Sequence, residues 1–295
     1  MRFVTFRSAA GAATPGVVLG EQVADLSHAS CHSIVGERVS SLLQMVELGL
    51  GLCADRLSTA RFDAAALRPL ASMQLLAPLR PGKIVGAAFN FTDALAERKM
   101  IAPAEPVTFV RSGSTVIGPG EPILIAPDVG NVGYEAELAV VIGKRALRVS
   151  PEQAMRHIAG YTAHNDVSGS DLIKGDGGNF VRGKNLPASA PLGPWIATPD
   201  EVPDPYAVGI RLDIDGRPLQ DGSTATMLFR IAELISFISY RMPLDPGDVI
   251  ATGTPAGVAA THQPPAWLTP GTTVNVEVQG FGRLSNPVQR GEAFL

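Results

Sequence analysis

Cysteine is almost missing from this chain: Cys31 and Cys53 are its two examples in 295 residues. They form no zinc-ligand spacing and no disulfide framework, so a reduced, cytoplasmic setting is expected. Aromatic residues make up 6% and charged residues 18%, with a formal net charge of -4. Without a dense run of Lys or Arg, an electrostatic surface for nucleic acid is not expected. Long apolar runs are lacking too. The longest, such as 138–142, have strand length and fall far short of the roughly 20 residues a membrane span needs. The opening MRFVTFRSAAGAATPG has no apolar stretch of the signal-peptide kind. Two catalytic signatures are also absent. No Gly-x-Ser-x-Gly elbow for a serine hydrolase occurs, and Gly175-Asp-Gly-Gly matches neither the pattern nor the strand-to-helix context of a dinucleotide loop.

What is abundant is glycine (31) and proline (24), alongside a 45% hydrophobic content. That combination predicts a sizeable core built from short strands and many turns, not a helical bundle. Residues 1–75 read as a small N-terminal module, with hairpin-like alternation in MRFVTFR and GVVLGEQVADLS and helical periodicity at 34–48 and 60–67. Residues 76–295 read as a larger domain. Strands are expected at 83–88, 107–110, 123–125, 134–142, 158–165, 195–198, 208–214, 248–252 and 273–278. Helices are expected at 92–100, capped near Thr92 or Asp93, at 151–157 after Ser150, and at 226–240, where Leu228, Ile231, Leu234, Ile235 and Ile238 share a face. The fold class is α+β, mostly β, with a mixed sheet that rolls up.

The chemistry concentrates in three segments. In Gly133-Tyr-Glu-Ala-Glu-Leu-Ala-Val-Val-Ile-Gly143, strand geometry puts Glu135 and Glu137 on one face, roughly 6–7 Å apart, and Tyr134, Ala136, Leu138, Val140 and Ile142 on the other. Paired buried acids must be protonated, matched by cations or bound to a metal. The same spacing also suits an exposed edge with solvated acids. Asp166, at the end of Tyr161-Thr-Ala-His-Asn-Asp, would complete a three-carboxylate set, and oxygen-only ligation suits Mg²⁺ or Mn²⁺ better than zinc. Lys184, with Arg182 beside it in a Gly-rich loop, would hold a substrate carboxylate or stabilise an enolate; both also suit solvated loop cations. His164 suits a hydrogen-bonded core histidine as well as a functional one. Asp221-Gly-Ser-Thr and Thr252-Gly-Thr-Pro-Ala-Gly-Val258 are turn-prone and offer backbone N–H groups to an anion.

The ordered set of strings resembles the fumarylacetoacetate hydrolase superfamily over about 75–290. The strings are Arg-Pro-Gly-Lys-Ile at 80–84, Ile-Gly-Pro-Gly at 117–120, Tyr-Glu-Ala-Glu-Leu-Ala-Val-Val-Ile-Gly-Lys at 134–144, Ala-Gly-Tyr-Thr at 159–162, Asn-Asp-Val-Ser at 165–168, Arg-Gly-Lys at 182–184, Ala-Pro-Leu-Gly-Pro-Trp at 190–195, Gln-Asp-Gly at 220–222 and Thr-Gly-Thr-Pro-Ala-Gly-Val at 252–258. The resemblance implies a β-roll catalytic domain, a homodimer, and a small 2-oxo or 1,3-dioxo acid substrate. It implies Mg²⁺ (or Mn²⁺) on Glu135, Glu137 and Asp166, with Lys184 and Glu97 catalytic. Asn90, Arg182, Gly253 and Thr254 would contact substrate. The implied chemistry is a metal-stabilised enolate, and the implied reaction is hydrolysis of a C–C bond.

The chain departs from the family pattern at the lid helix. Hydrolytic members carry His-x-x-Glu there, one helical turn joining the two groups that activate water. Here the pair is Ala94 and Glu97, and Phe91 replaces the usual Tyr. Further on, Ser170 stands where the pattern has Arg, and His164 where it has a small residue. Alanine accepts no proton, so a decarboxylase, isomerase or dehydratase is the alternative to a hydrolase, unless Glu97 alone, His164 or His262 serves as base. A non-catalytic ligand-binding member is disfavoured by retention of the acids and Lys184.

Overall fold

The computed structural model describes residues 1–36 and 38–292. Strands dominate, and the fold is α+β, mostly β, as expected. One large sheet runs through the molecule. Its spatial order is Leu67–Pro69, Gln22–Asp25, Ala13–Leu19, Arg2–Arg7, Ala190–Ala197, Ile158–Asn165, Ala136–Ile142, Val249–Ala251, Lys83–Ala88 and Val107–Ser112. A second, five-stranded sheet is ordered Arg217–Ser223, Gly209–Ile214, Thr273–Val278, Arg283–Arg290, Ile123–Ile125. Residues 1–75 join the large sheet through Arg2–Arg7, where Arg2 pairs with Ala197 and Phe3 with Ile196.

The strand Ala136–Ile142 lies near the middle, antiparallel to Ile158–Asn165 on one side and to Val249–Ala251 on the other. All seven residues are buried. Alternation divides them between two cores. Leu138, Val140 and Ile142 pack with the second sheet and the helix Ile231–Ser239. Ala139 and Val141 pack with the N-terminal residues Phe3, Leu42 and Met45. Burial on both faces is what a near-continuous apolar run provides, and each large aliphatic side chain so placed contributes roughly 1.5–3 kcal/mol. The site lies at the beginning of this strand.

Several elements differ from the periodicity. The helix expected over 34–48 is two helices, Ala29–Val35 and Leu42–Leu48. Gly36 ends the first at φ 96°, and Ser41 caps the second by accepting from the Gln44 N–H; Glu37 lies outside the described residues. At 60–67 the chain forms only a 3-10 turn, Ala64–Ala66, because Leu67 enters a strand paired with Gln22–Asp25. The helix Leu50–Ser58 was not expected. The long helix begins at Ile231 instead of 226. Ahead of it, the Leu228 and Phe229 N–H groups are bound by the carbonyl and side-chain oxygens of Asn90, which holds that stretch extended. The lid helix is Thr92–Glu97, with Phe91 at its N-cap position.

Candidate metal centre and active site

The three acids meet. Glu135, Glu137 and Asp166 each offer an oxygen within 4.8 Å of the others. The sheet register brings this about. Ala136 faces Asn165 and Glu137 faces His164 across the antiparallel pair, so Asp166 emerges beside Glu135, and its N–H donates to the Glu135 carbonyl at 2.8 Å. Pairing with Val249–Ala251 stops at Ala139, and the following turn crosses the strand's start. There the Gly253 N–H donates to Glu137 Oε2 at 3.0 Å, and the Thr254 hydroxyl donates to the Ala136 carbonyl at 2.8 Å. Gln220 ties the turn down, accepting from the Ala136 N–H and donating to Thr254 Oγ1.

Lys184, at the end of the helix Phe180–Lys184, is buried and donates to Glu135 Oε2 (2.8 Å) and Asp166 Oδ2 (2.6 Å). Its ammonium also lies 5.0 Å from the Phe109 ring centroid. Ammonium has three donors, so one N–H remains for a ligand. A second buried cation, Arg111, escaped the sequence analysis. It pairs with Asp166 Oδ1 and donates to the carbonyl and hydroxyl of Ser189, both at 2.7 Å. Its signal was present in principle: on the strand Val107–Ser112 it alternates in phase with Phe109.

The electrostatics follow from this packing. Burial, with Asp166 and Glu135 beside it, pushes the Glu137 carboxyl well above the usual range. Burial also raises Glu135, against the pull of Lys184. Burial opposes ionisation of Asp166 as well, but Lys184 and Arg111 prevail and hold it well below the usual range. Three carboxylates face two cations, an excess of negative charge that a divalent cation would reverse. The donor set is oxygen only, in a buried cluster of that spacing, and it fits Mg²⁺ or Mn²⁺.

The acids open into a cavity of about 550 Å³. One wall is aromatic: Phe109 and Phe180 lie 4.9 Å apart between centroids, and Phe89 lies 6.5 Å from Phe180. Phe89 holds φ 60°, an uncommon conformation for a bulky residue. Ala87, Ala94, Leu95 and Trp267 add apolar surface, while Arg98, Lys174, Gly253 and Thr254 add polar atoms.

Other expected site residues lie elsewhere. Arg182 is exposed and bound to Asp176, and does not line the cavity. Asn90 is buried with its amide spent on Thr252, Phe229 and the Phe229 N–H, so it braces the lid instead of presenting donors to a substrate. Glu97 is exposed, outside the cavity lining, and accepts from the Gly257 N–H at 3.0 Å. His262 is likewise engaged, with Gly257 O at 2.9 Å. His164 is fully buried, its Nδ1 2.8 Å from Pro191 O. Burial, aided by Arg111 and Lys184 and opposed by Asp166, lowers its pKa to about 4, so the ring is neutral near pH 7.

Gly253 carries a backbone demand of its own. It sits at φ 96°, and an added Cβ would fall 2.9 Å from the Ala87 carbonyl and 3.0 Å from Asn90 Cβ. Gly253→Ala is therefore expected to cost about 1–3 kcal/mol in thermal unfolding and to weaken divalent-ion binding by shifting the N–H that orients Glu137. An unchanged melting temperature and unchanged ion affinity would contradict this.

Comparisons with known proteins agree with this fold. The model of the fumarylacetoacetate (FAA) hydrolase C-terminal family matches residues 83–289. A mitochondrial oxaloacetate tautomerase of Xenopus laevis is 39% identical over 219 residues, which is 74% of this chain and 69% of that protein. Among solved structures, the fumarylacetoacetate hydrolase of Exiguobacterium antarcticum superposes with a TM-score of 0.84 at 32% identity, covering 99% of this chain and 100% of that one. A 2-hydroxyhepta-2,4-diene-1,7-dioate isomerase of Mycobacterium marinum gives 0.75 at 31% identity, with 98% of each chain covered.

Proposed function

Since the chain belongs to the fumarylacetoacetate hydrolase family, we propose that it is a divalent-metal-dependent isomerase that interconverts the keto and enol forms of a small 2-oxo acid. The observation that carries this proposal is the lid. Ala94 faces the cavity where a water-activating histidine would stand, and the Glu97 carboxylate is turned to the Gly257 N–H. Tautomerisation needs no attacking water. A proton leaves the carbon beside the oxo group, and one is added to the oxygen.

Glu135, Glu137 and Asp166 would hold Mg²⁺ or Mn²⁺, which supplies Lewis acidity to the oxo acid when bound. The chain's own groups would bind the oxo acid and stabilise the charge, and water in the open cavity would carry the proton between carbon and oxygen. The third N–H of Lys184 meets the oxygen on which negative charge develops, and its other two donors keep the ammonium fixed, so the charge is preorganised. Arg111 holds Asp166 in place from behind. The aromatic wall of Phe89, Phe109 and Phe180 lowers the polarity of one side of the cavity and so strengthens these interactions.

The test follows oxaloacetate and an acylpyruvate in parallel with Mg²⁺ present. Expected is accelerated enol-to-keto conversion of oxaloacetate, with little CO₂ and little pyruvate from the acylpyruvate. Ala94→His is expected to raise acylpyruvate cleavage by about 10²-fold or more, the range of general-base catalysis. C–C hydrolysis is the second reading, favoured by the retained Glu97. Brisk cleavage by the unaltered chain, abolished by Glu97→Gln, would establish it and remove the isomerase.

A further inference from the structure

Two acids of the lid helix are turned away from the cavity. Asp93 and Glu97 lie at i and i+4 on Thr92–Glu97, so they share a helix face, and neither lines the cavity. Their oxygens take two successive N–H groups of the turn 252–258. Asp93 Oδ2 accepts from the Ala256 N–H at 3.2 Å, and Glu97 Oε2 from the Gly257 N–H at 3.0 Å. Asp93 is the more firmly held of the two. It is half-buried, whereas Glu97 is exposed, and its Oδ1 also accepts from the Thr226 hydroxyl at 2.9 Å.

The other end of that turn serves the metal centre. There the Gly253 N–H donates to Glu137 Oε2, and the Thr254 hydroxyl donates to the Ala136 carbonyl. Only Thr254 and Pro255 separate Gly253 from Ala256, and this short stretch has little freedom. The Pro255 ring fixes φ, and its carbonyl accepts from Gln220 Nε2 at 3.0 Å. Pro255 also packs on Gly222, where any Cβ would collide with it. Gly257, at φ 94°, lies so close to the Leu219 carbonyl that a Cβ has no room. Gln220 thus holds this arm from the strand Arg217–Ser223, and Asp93 holds it from the lid.

We infer that Asp93 is a positioning residue for the metal centre. Its carboxylate fixes Ala256, the arm 253–256 carries that constraint to the Gly253 N–H, and the N–H directs the Glu137 carboxylate presented to a divalent ion. Asp93 touches neither the ion nor the substrate. The inference rests on the three-acid metal centre and holds for isomerase and hydrolase alike. Such coupling is reciprocal, so an ion that fixes Glu137 also steadies the lid helix.

The experiment titrates the full chain with Mn²⁺, followed by electron paramagnetic resonance, and compares Asp93→Ala with Asp93→Asn. Asparagine keeps an oxygen for the Ala256 N–H and can donate to Thr226 Oγ1, but carries no charge. Asp93→Ala is expected to weaken Mn²⁺ binding about 10-fold, the lower end of the range for groups that orient metal ligands, and Asp93→Asn by less than about 3-fold. Hydrogen exchange followed by mass spectrometry gives the reciprocal readout. Mn²⁺ should slow exchange of the lid helix Thr92–Glu97 in the unaltered chain and in Asp93→Asn, but not in Asp93→Ala. Equal losses of affinity in both variants would assign the effect to charge at a distance and overturn the positioning role. So would an unchanged affinity in folded Asp93→Ala. Should Asp93→Ala not fold, Thr226→Val decides: by removing the donor to Asp93 Oδ1 it should weaken Mn²⁺ binding about 3-fold, and an unchanged affinity overturns the inference. Failure of the unaltered chain to bind Mn²⁺ overturns the metal centre and the role of Asp93 with it.

Discussion

Glu135→Gln and Glu137→Gln, each alone, are expected to abolish divalent-ion binding and turnover together. Both acids sit in a buried cluster whose oxygens approach within 4.8 Å, and a neutral amide cannot replace a carboxylate charge there. Outer groups that merely orient ligands typically cost 10–100-fold in affinity when removed, so loss of a ligand itself should exceed about 10²-fold. Titration with Mn²⁺, followed by electron paramagnetic resonance, measures this directly. A variant that keeps both ion affinity and activity would sink the metal assignment.

Glu137→Gln carries a second signature in pH. Burial and two neighbouring acids raise the Glu137 carboxyl well above the ordinary carboxylate value. A group whose folded pKa is raised contributes stability below its unfolded pKa, and that contribution disappears as pH rises through the folded value. The ion-free protein should therefore lose stability from mild acid upward. Added Mg²⁺ needs the ionised carboxylate and releases its proton, so the ion-induced rise in melting temperature should grow with pH. Asp166 acts in the opposite sense, its pKa being depressed: its contribution holds above the ordinary carboxylate range and is lost only in strong acid. Glu137→Gln cannot ionise. Its ion-free form should melt no lower than the unaltered protein near pH 7, with no response to Mg²⁺. A strong fall in melting temperature would show that Glu137 supports the fold by a route other than its charge.

Lys184→Met is expected to be the most destabilising change at the site. It would leave Glu135 without its hydrogen-bonded cation and Asp166 with Arg111 alone. Breaking a buried ion pair by removing one partner costs about 3–5 kcal/mol, visible as a lower melting temperature of the ion-free protein. The acids would then carry more uncompensated charge, so divalent ions should still bind and restore part of the lost stability. Turnover should not return, because the donor facing the developing oxyanion is gone, a loss of about 10²–10³-fold for one preorganised donor. Restored stability with absent turnover is the expected pairing. Turnover within about 10-fold of the unaltered chain would remove Lys184 from the reaction.

Arg111 illustrates what a linear chain conceals. It is fully buried, 55 positions before the acid it holds, and nothing in Val-Thr-Phe-Val-Arg-Ser marks it beyond alternation with Phe109. Arg182 illustrates the converse. It stands two residues before Lys184, yet on a short helix that separation turns one side chain inward and the other to solvent and Asp176. Asn90 and Glu97 lie where the resemblance places them, but backbone groups of Phe229, Thr252 and Gly257 already occupy their polar atoms.

By itself, the sequence determined the β-rich class, the family, and the acid set Glu135, Glu137 and Asp166 with Lys184, because strand alternation and local motif order are properties of neighbouring residues. Helix ends fell partly outside that reach. Asn90 shortens a helix 141 positions later by binding Leu228 and Phe229, and Leu67 abandons helical periodicity to pair with Ala24. Only the tertiary structure decided which polar groups are spent and which remain for a ligand. That distinction depends on long-range hydrogen bonds, and it leaves one N–H of Lys184 available in a largely apolar cavity.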